Sequence, residues 1–189
     1  MHKLFSLTLT TLLATGLTTQ AHALEYKSIQ AEKSSLTFNY KQMGVAMDGR
    51  FKKFTADIKF DPAKANAASA TLDVDLNSID VGSPDGNSEV GGKLWFNTKL
   101  FPTAKFTSTS VKPLGGDKYD VLGKLTIKGK TQDIVAPTTI KIQGNTAQFD
   151  GVFTLKRNDF AIGEGIWSDT SAVANEVLVK FHIITTSSK

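Results

Sequence analysis

Ala70-Thr71-Leu72-Asp73-Val74-Asp75-Leu76-Asn77 alternates apolar and polar side chains without a break. Ala70, Leu72, Val74 and Leu76 share one parity; Thr71, Asp73, Asp75 and Asn77 share the other. Successive side chains of an extended chain point to opposite faces, so this stretch reads as a strand with one dry and one wet face. The same parity governs Leu36, Phe38 and Tyr40, then Phe54, Ala56, Ile58 and Phe60. It continues through Tyr119, Val121, Leu125 and Ile127, through Phe149, Phe153 and Leu155, and through Val177, Val179, Phe181 and Ile183. Turn residues separate the runs at Asp61-Pro62, Pro113-Leu114-Gly115-Gly116-Asp117, Lys128-Gly129-Lys130 and Gln143-Gly144-Asn145. Short alternating strands punctuated in this way predict an all-β, antiparallel fold. About eight strands are expected, and that number closes into a barrel able to hold one small ligand. Lys93 to Leu100, between Gly91-Gly92 and Pro102, breaks the period and reads as a short helix or helical turn covering one end.

The first residues read as a targeting signal. Lys3 precedes an uncharged apolar run, Leu4 to Thr19, and Ala21-His22-Ala23 has the small-x-small form of a cleavage site. Residues 1–23 are therefore expected to leave on export to the periplasm, and residues 24–189 to form one domain. The sequence contains no cysteine, so neither disulfides nor a lipidated cysteine are expected. No later stretch is apolar enough for membrane insertion. Lys and Arg number 22 against 18 Asp and Glu, a formal +4 that becomes +3 without Lys3. The charges are interspersed, which excludes a nucleic-acid footprint.

Catalytic and metal signatures fail one by one. The mature chain has a single histidine, His182, on the parity of Lys180 and so on the expected solvent face. Gly86-Asn87-Ser88-Glu89-Val90 lacks the final glycine of a nucleophile elbow. Gly123 to Thr131 has a phosphate-loop look, but with one residue too many between its glycines and in a hairpin context. Lys124, Lys128 and Lys130 there read as a solvated hairpin face and tip. Asp85 to Glu89 resembles the start of a calcium loop, yet Val90 and Phe96 occupy positions that need glycine and a carboxylate. Cysteine and clustered histidine for zinc are absent. No catalytic residue, metal ligand or cofactor is assigned.

What remains is apolar and aromatic: 12 Phe, 2 Trp and 3 Tyr, of which only Phe5 belongs to the signal. The expected interior wall, and hence the candidate ligand-binding set, comprises Phe38, Tyr40, Phe54, Leu72, Val74, Trp95, Phe96, Phe101, Phe106, Leu125, Phe153, Phe160, Trp167, Val179 and Phe181. Access is expected near Lys93 to Phe101, with Trp95, Phe96 and Phe101 as wall or lid. Periodicity alone leaves open whether these side chains fill the barrel or enclose a slot.

Several stretches carry a family resemblance, in order along nearly the whole mature chain. They are Ser35-Leu36-Thr37-Phe38, Gly49-Arg50-Phe51-Lys52-Lys53-Phe54, Ile58-Lys59-Phe60-Asp61-Pro62 and Ser78-Ile79-Asp80. Phe101-Pro102-Thr103-Ala104-Lys105-Phe106-Thr107-Ser108, Gly123-Lys124-Leu125-Thr126-Ile127-Lys128-Gly129 and Arg157-Asn158-Asp159-Phe160 complete the series. The chain resembles the YceI-like family of periplasmic lipid-binding proteins. The resemblance implies an extended antiparallel eight-stranded lipocalin-like barrel whose cavity takes an isoprenoid, a quinone or a fatty-acid-like lipid. The chain departs from the family where many members carry Arg-Asp-x-His-Leu before the helix. Here Gly86 stands at the arginine position and Glu89 at the histidine position, so headgroup contacts from that basic stretch do not carry over.

Three functions follow as alternatives. The first is a periplasmic carrier or scavenger of a long-chain lipid that catalyses nothing, with a homodimer left open. The second is a structural or stress-response module with a filled core and a protein partner. The third is a lipid-modifying enzyme using Asp80, Asp159, Glu164 or Asp169, residues whose places near turns point instead to capping roles.

Overall fold

The computed structural model describes residues 25–188; the expected signal segment lies outside them. The strands are β1 (Glu25–Ile29), β2 (Ser35–Gln42), β3 (Val45–Phe51), β4 (Phe54–Lys59), β5 (Ser69–Asp75) and β6 (Ile79–Asp80). After the one α-helix described, α1 (Pro84–Gly91), come β7 (Thr103–Gly115), β8 (Lys118–Ile127), β9 (Lys130–Gln143), β10 (Thr146–Lys156) and β11 (Glu176–Ser188). All belong to one 11-stranded sheet of order β4-β5-β7-β8-β9-β10-β11-β2-β3-β6, with β1 on β11. Every pairing is antiparallel.

The sheet curls back on itself and closes at two places. At one end Tyr26 of β1 and Phe60 exchange backbone hydrogen bonds of 3.0 and 3.3 Å, bridging β11 to the end of β4. Nearer the other end, Lys52 N donates to Ser78 O and Asp75 N to Lys53 O, both at 3.1 Å. The first closure forms a solid floor. Tyr26 and Phe60 are buried there, and Phe60 meets Tyr119 and Phe149 edge-on at 5.7 and 5.6 Å. The Tyr26 hydroxyl, 2.8 Å from Gly144 O, donates its hydrogen bond there instead of being stranded in the core.

The all-β class and the strand parity are as the sequence predicts, but three details differ. Eleven strands are found among the described residues rather than about eight, because β1, β3 and β6 are short or poor in alternating apolar residues. Leu76 and Asn77 leave β5 for a 3-10 turn over Leu76–Ser78, where the Asp75 carboxylate accepts from Asn77 N. The helix lies at Pro84–Gly91, not over Lys93 to Leu100, which is a succession of turns. Ser83 caps the helix by accepting from Gly86 N at 3.1 Å, Pro84 supplies the first-turn geometry, and Gly91-Gly92 ends it before the apolar residues begin. The capping signals decided the position; the apolar content of the next segment reflects burial.

Candidate functional site

The inward faces of the strands do not meet. They enclose a cavity of about 300 Å³ with a wall that is almost wholly hydrocarbon. Of the expected set, Phe38, Tyr40, Leu72, Val74, Trp95, Phe96, Phe106, Leu125, Phe153, Trp167, Val179 and Phe181 line it. Phe54, Phe101 and Phe160 do not. Phe54 packs at the seam between the two core clusters, on a separate surface groove shared with Lys53 and Asp75. Phe101 turns away and lies 3.3 Å from where a Cβ on Gly129 would sit. Phe160, 2% exposed, is packed solidly among other core residues. Parity fixes which face a side chain takes but not whether that face reaches the lumen or a seam.

Three phenylalanines lie flat along the wall because glycines stand opposite them. Phe38 pairs with Gly49 across β2–β3, and Phe181 with Gly151 across β11–β10; Phe106 of β7 covers Gly123 of β8. A Cβ on Gly49, Gly151 or Gly123 would come within 2.2, 2.1 or 2.3 Å of the respective ring. Each ring occupies the space a side chain would otherwise fill, so the ring stays out of the lumen. These glycines all sit at inward positions of their strands, where a bulky residue would be the ordinary choice.

The mouth lies at the end of β2 beside α1. Tyr40 and Gln42 continue the inward parity of Phe38, and Gly86, Glu89 and Val90 share one face of α1 at i, i+3 and i+4. Burial raises the pKa of the Tyr40 phenol, so it stays a neutral hydroxyl. Trp95 and Trp167, with ring centroids 5.4 Å apart, cover the adjoining end.

Under this cover lies Arg157, which sequence reasoning passed over as part of a motif. It is 1% exposed. Nε donates to Ala174 O; Nη1 donates to Ile162 O, Gly163 O and Asn158 Oδ1; Nη2 donates to Val173 O and Asp169 O. Its guanidinium carbon stands 5.6 Å from the Trp95 ring centroid. Burial lowers its pKa, and no carboxylate pairs with it among the described residues. It organises backbone that has no regular partner of its own, tying the loop after β10 into one cap. Lys128 assists and is not the solvated tip expected: its side chain is 7% exposed and donates to Lys93 O, Ala161 O and Glu164.

Three of the four carboxylates considered for catalysis, Asp80, Glu164 and Asp169, have structural partners. Hydrogen bonds from Lys52 and then Gly82 N hold the Asp80 carboxyl at a pKa of about 2, with Arg50 adding to them. The Lys128 ammonium lowers that of Glu164, and the Ser171 backbone N–H that of Asp169. His182 is on the outer wall, its Nδ1 2.6 Å from Asp150 Oδ1. Burial tends to raise the Asp150 pKa, but hydrogen bonds from Gln148 and His182 outweigh it and bring it below the ordinary value. Ser35 faces His182 in the β2–β11 register, yet no hydrogen bond joins them among the described residues, so no Ser-His-Asp relay is assembled. Among the described residues no three His, Cys, Asp or Glu side chains cluster as metal ligands, and no helix is long and apolar enough to cross a membrane.

Residues 28–185 match the YceI-like domain family model. The chain belongs to the YceI-like family. BcnA of Burkholderia cenocepacia is 47% identical, with a TM-score of 0.82 over 84% of this chain and 100% of its own. A UPF0312 protein of Pseudomonas paraeruginosa is 31% identical over 84% of each chain. A polyisoprenoid binding domain from Saccharophagus degradans, implicated in plant cell wall breakdown, shares the YceI-like architecture at 19% identity. Its TM-score is 0.68 over 88% of this chain and 100% of that one. At that identity the likeness is one of fold.

Proposed function

We propose that this protein is an exported, non-catalytic binder of a long-chain apolar amphiphile, an isoprenoid or isoprenoid quinone being the best-fitting class. The observation that carries the reading is the hollow interior. An apolar void costs roughly 24 cal/mol per Å³. A lumen of about 300 Å³ therefore costs about 7 kcal/mol when empty, comparable with the whole stability of a domain, about 5–15 kcal/mol. Such a space is retained for an occupant that fills it. The occupant's chain gains ~0.8 kcal/mol per methylene removed from water, so no polar recognition inside the lumen is needed. The polyisoprenoid-binding neighbour in the same fold supports this class of ligand. The hollow core counts against the filled structural module, and the structurally engaged Asp80, Glu164 and Asp169 count against a lipid-modifying enzyme.

Native mass spectrometry of protein freshly purified from the periplasm tests the proposal. A tightly held extra mass, released by organic extraction as a lipid, is expected. Protein that is always ligand-free, including after incubation with long-chain isoprenoids, refutes it. N-terminal sequencing of the same material is expected to begin at Leu24.

A further inference from the structure

The lumen wall is almost wholly hydrocarbon, so a bound amphiphile is best accommodated with its head at the mouth. Three ionisable side chains that carry charge at neutral pH belong to the wall: Lys59, Glu89 and Arg157. Lys59 lies between Ile58 and Phe60, both buried, and by alternation its exposed side chain leaves the barrel on the outer face. Arg157 is sealed beneath Trp95 with its N–H groups committed to carbonyls and to Asn158. That leaves Glu89, exposed on the lumen side of α1 and without an ion pair among the described residues. Its neighbours on the rim, Tyr40 and Gln42, are neutral, and neither side chain has a hydrogen-bond partner among the described residues. Lys41, next to both in β2, has the opposite parity and faces outward.

We propose that this mouth selects the head group by charge, favouring a cationic or uncharged head and disfavouring a phosphate or carboxylate. The inference rests on the lipid-binding reading and goes beyond it by naming the head-group chemistry. A head at the rim lies beside the Glu89 carboxylate, at the edge of a low-dielectric cavity that weakens screening on one side. Tyr40 and Gln42 supply donors and acceptors that suit an alcohol, an amide or a carbonyl. Among the described residues no uncommitted cation lies on the lumen side of the mouth for a phosphate.

The test uses one chain with three heads: geranylgeranylamine, geranylgeraniol and geranylgeranyl phosphate, titrated into delipidated mature protein. At low ionic strength the amine is expected to bind about 10-fold more tightly than the phosphate, with the alcohol between them, and the gap is expected to narrow at high salt. Glu89→Gln is expected to bring the three within about 2- to 3-fold of one another, and Glu89→Lys to put the phosphate first. Phosphate binding as tightly as the amine in the native protein overturns the inference, as does an order unchanged in Glu89→Gln. Failure of all three to bind overturns the lipid-binding reading itself and this inference with it.

Discussion

Gly151→Ala adds a single methyl group and separates a hollow barrel from a filled one. The new Cβ would lie 2.1 Å from Cζ of Phe181, with two further ring atoms at 2.5 and 2.9 Å. Ordinary carbon contacts are ~3.5–4.0 Å, so the ring must retreat by ~1.4–1.9 Å. The sheet lies on one side of the ring and the lumen on the other, so the retreat is inward. In a solid core such a change is overpacking and costs about 1–3 kcal/mol of stability. Here the lumen can receive the ring, so the stability loss is expected at or below the bottom of that range. The effect passes instead to the ligand. A ring standing into the lumen displaces about two to four methylenes; at ~0.8 kcal/mol each this weakens binding about 10- to 200-fold. Urea unfolding of the ligand-free variant and titration with a fluorescent long-chain probe measure the two quantities separately. Destabilisation of ~3 kcal/mol with unchanged affinity would refute the argument, because it would mean that Phe181 has no free space before it.

Three further outcomes are expected. Arg157→Met leaves five carbonyls, three of them in buried hydrogen bonds, without their donor and should cost ~3 kcal/mol or more in urea unfolding; a cost under ~1 kcal/mol would contradict its structural role. The Asp80 carboxyl titrates at about 2 when folded against 3.8 for its ordinary value, so its stabilisation is present above 3.8 and is lost as pH falls through that window; the acid limb of the stability curve should be shallower in Asp80→Asn. Both tryptophans line the lumen, so binding should shift or quench the intrinsic emission, and Trp167→Phe should leave a smaller signal from Trp95; unchanged emission on saturation would place the ligand elsewhere.

Strand parity was legible because it is local. Leu72 and Val74 face the lumen while Asp73 reaches Lys105 on the outer wall, and one face of the barrel could be read residue by residue. Depth was not legible: Phe54 and Phe101 have the hydrophobicity of wall residues, but a seam and a hairpin glycine claim them. The helix position lay in the Ser83-Pro84 start and the Gly91-Gly92 stop rather than in the apolar content of Lys93 to Leu100. Arg157 and Lys128 gave no local sign of burial, since most of their partners are backbone carbonyls of irregular segments, 5 to 17 residues on for Arg157 and 33 to 35 residues away for Lys128. The glycines beneath Phe38, Phe106 and Phe181 did leave a signal. A glycine at an inward strand position forfeits packing and implies that a ring from the next strand lies over it.

These features divide the molecule into regions with different duties. A chain without cysteine must obtain its stability from packing, and a barrel with an empty waist forfeits packing where most domains have their core. The deficit is met at the two ends. The floor is filled by Tyr26, Phe60, Phe149 and Ile183, and the far end is held by Arg157 and its carbonyls beneath the tryptophan pair. Between them the wall is thinned by glycine at the places where rings must lie flat. Stability and binding thus weigh on different parts of the molecule, although Phe60, Phe149, Trp95 and Arg157 serve both. Substitution of Tyr26, which is buried in the floor and does not line the lumen, should unfold the barrel without first changing what it holds. Substitutions at the glycine-phenylalanine pairs should change what it holds while leaving it folded, which is the separation expected of a container rather than of a packed core with an incidental void.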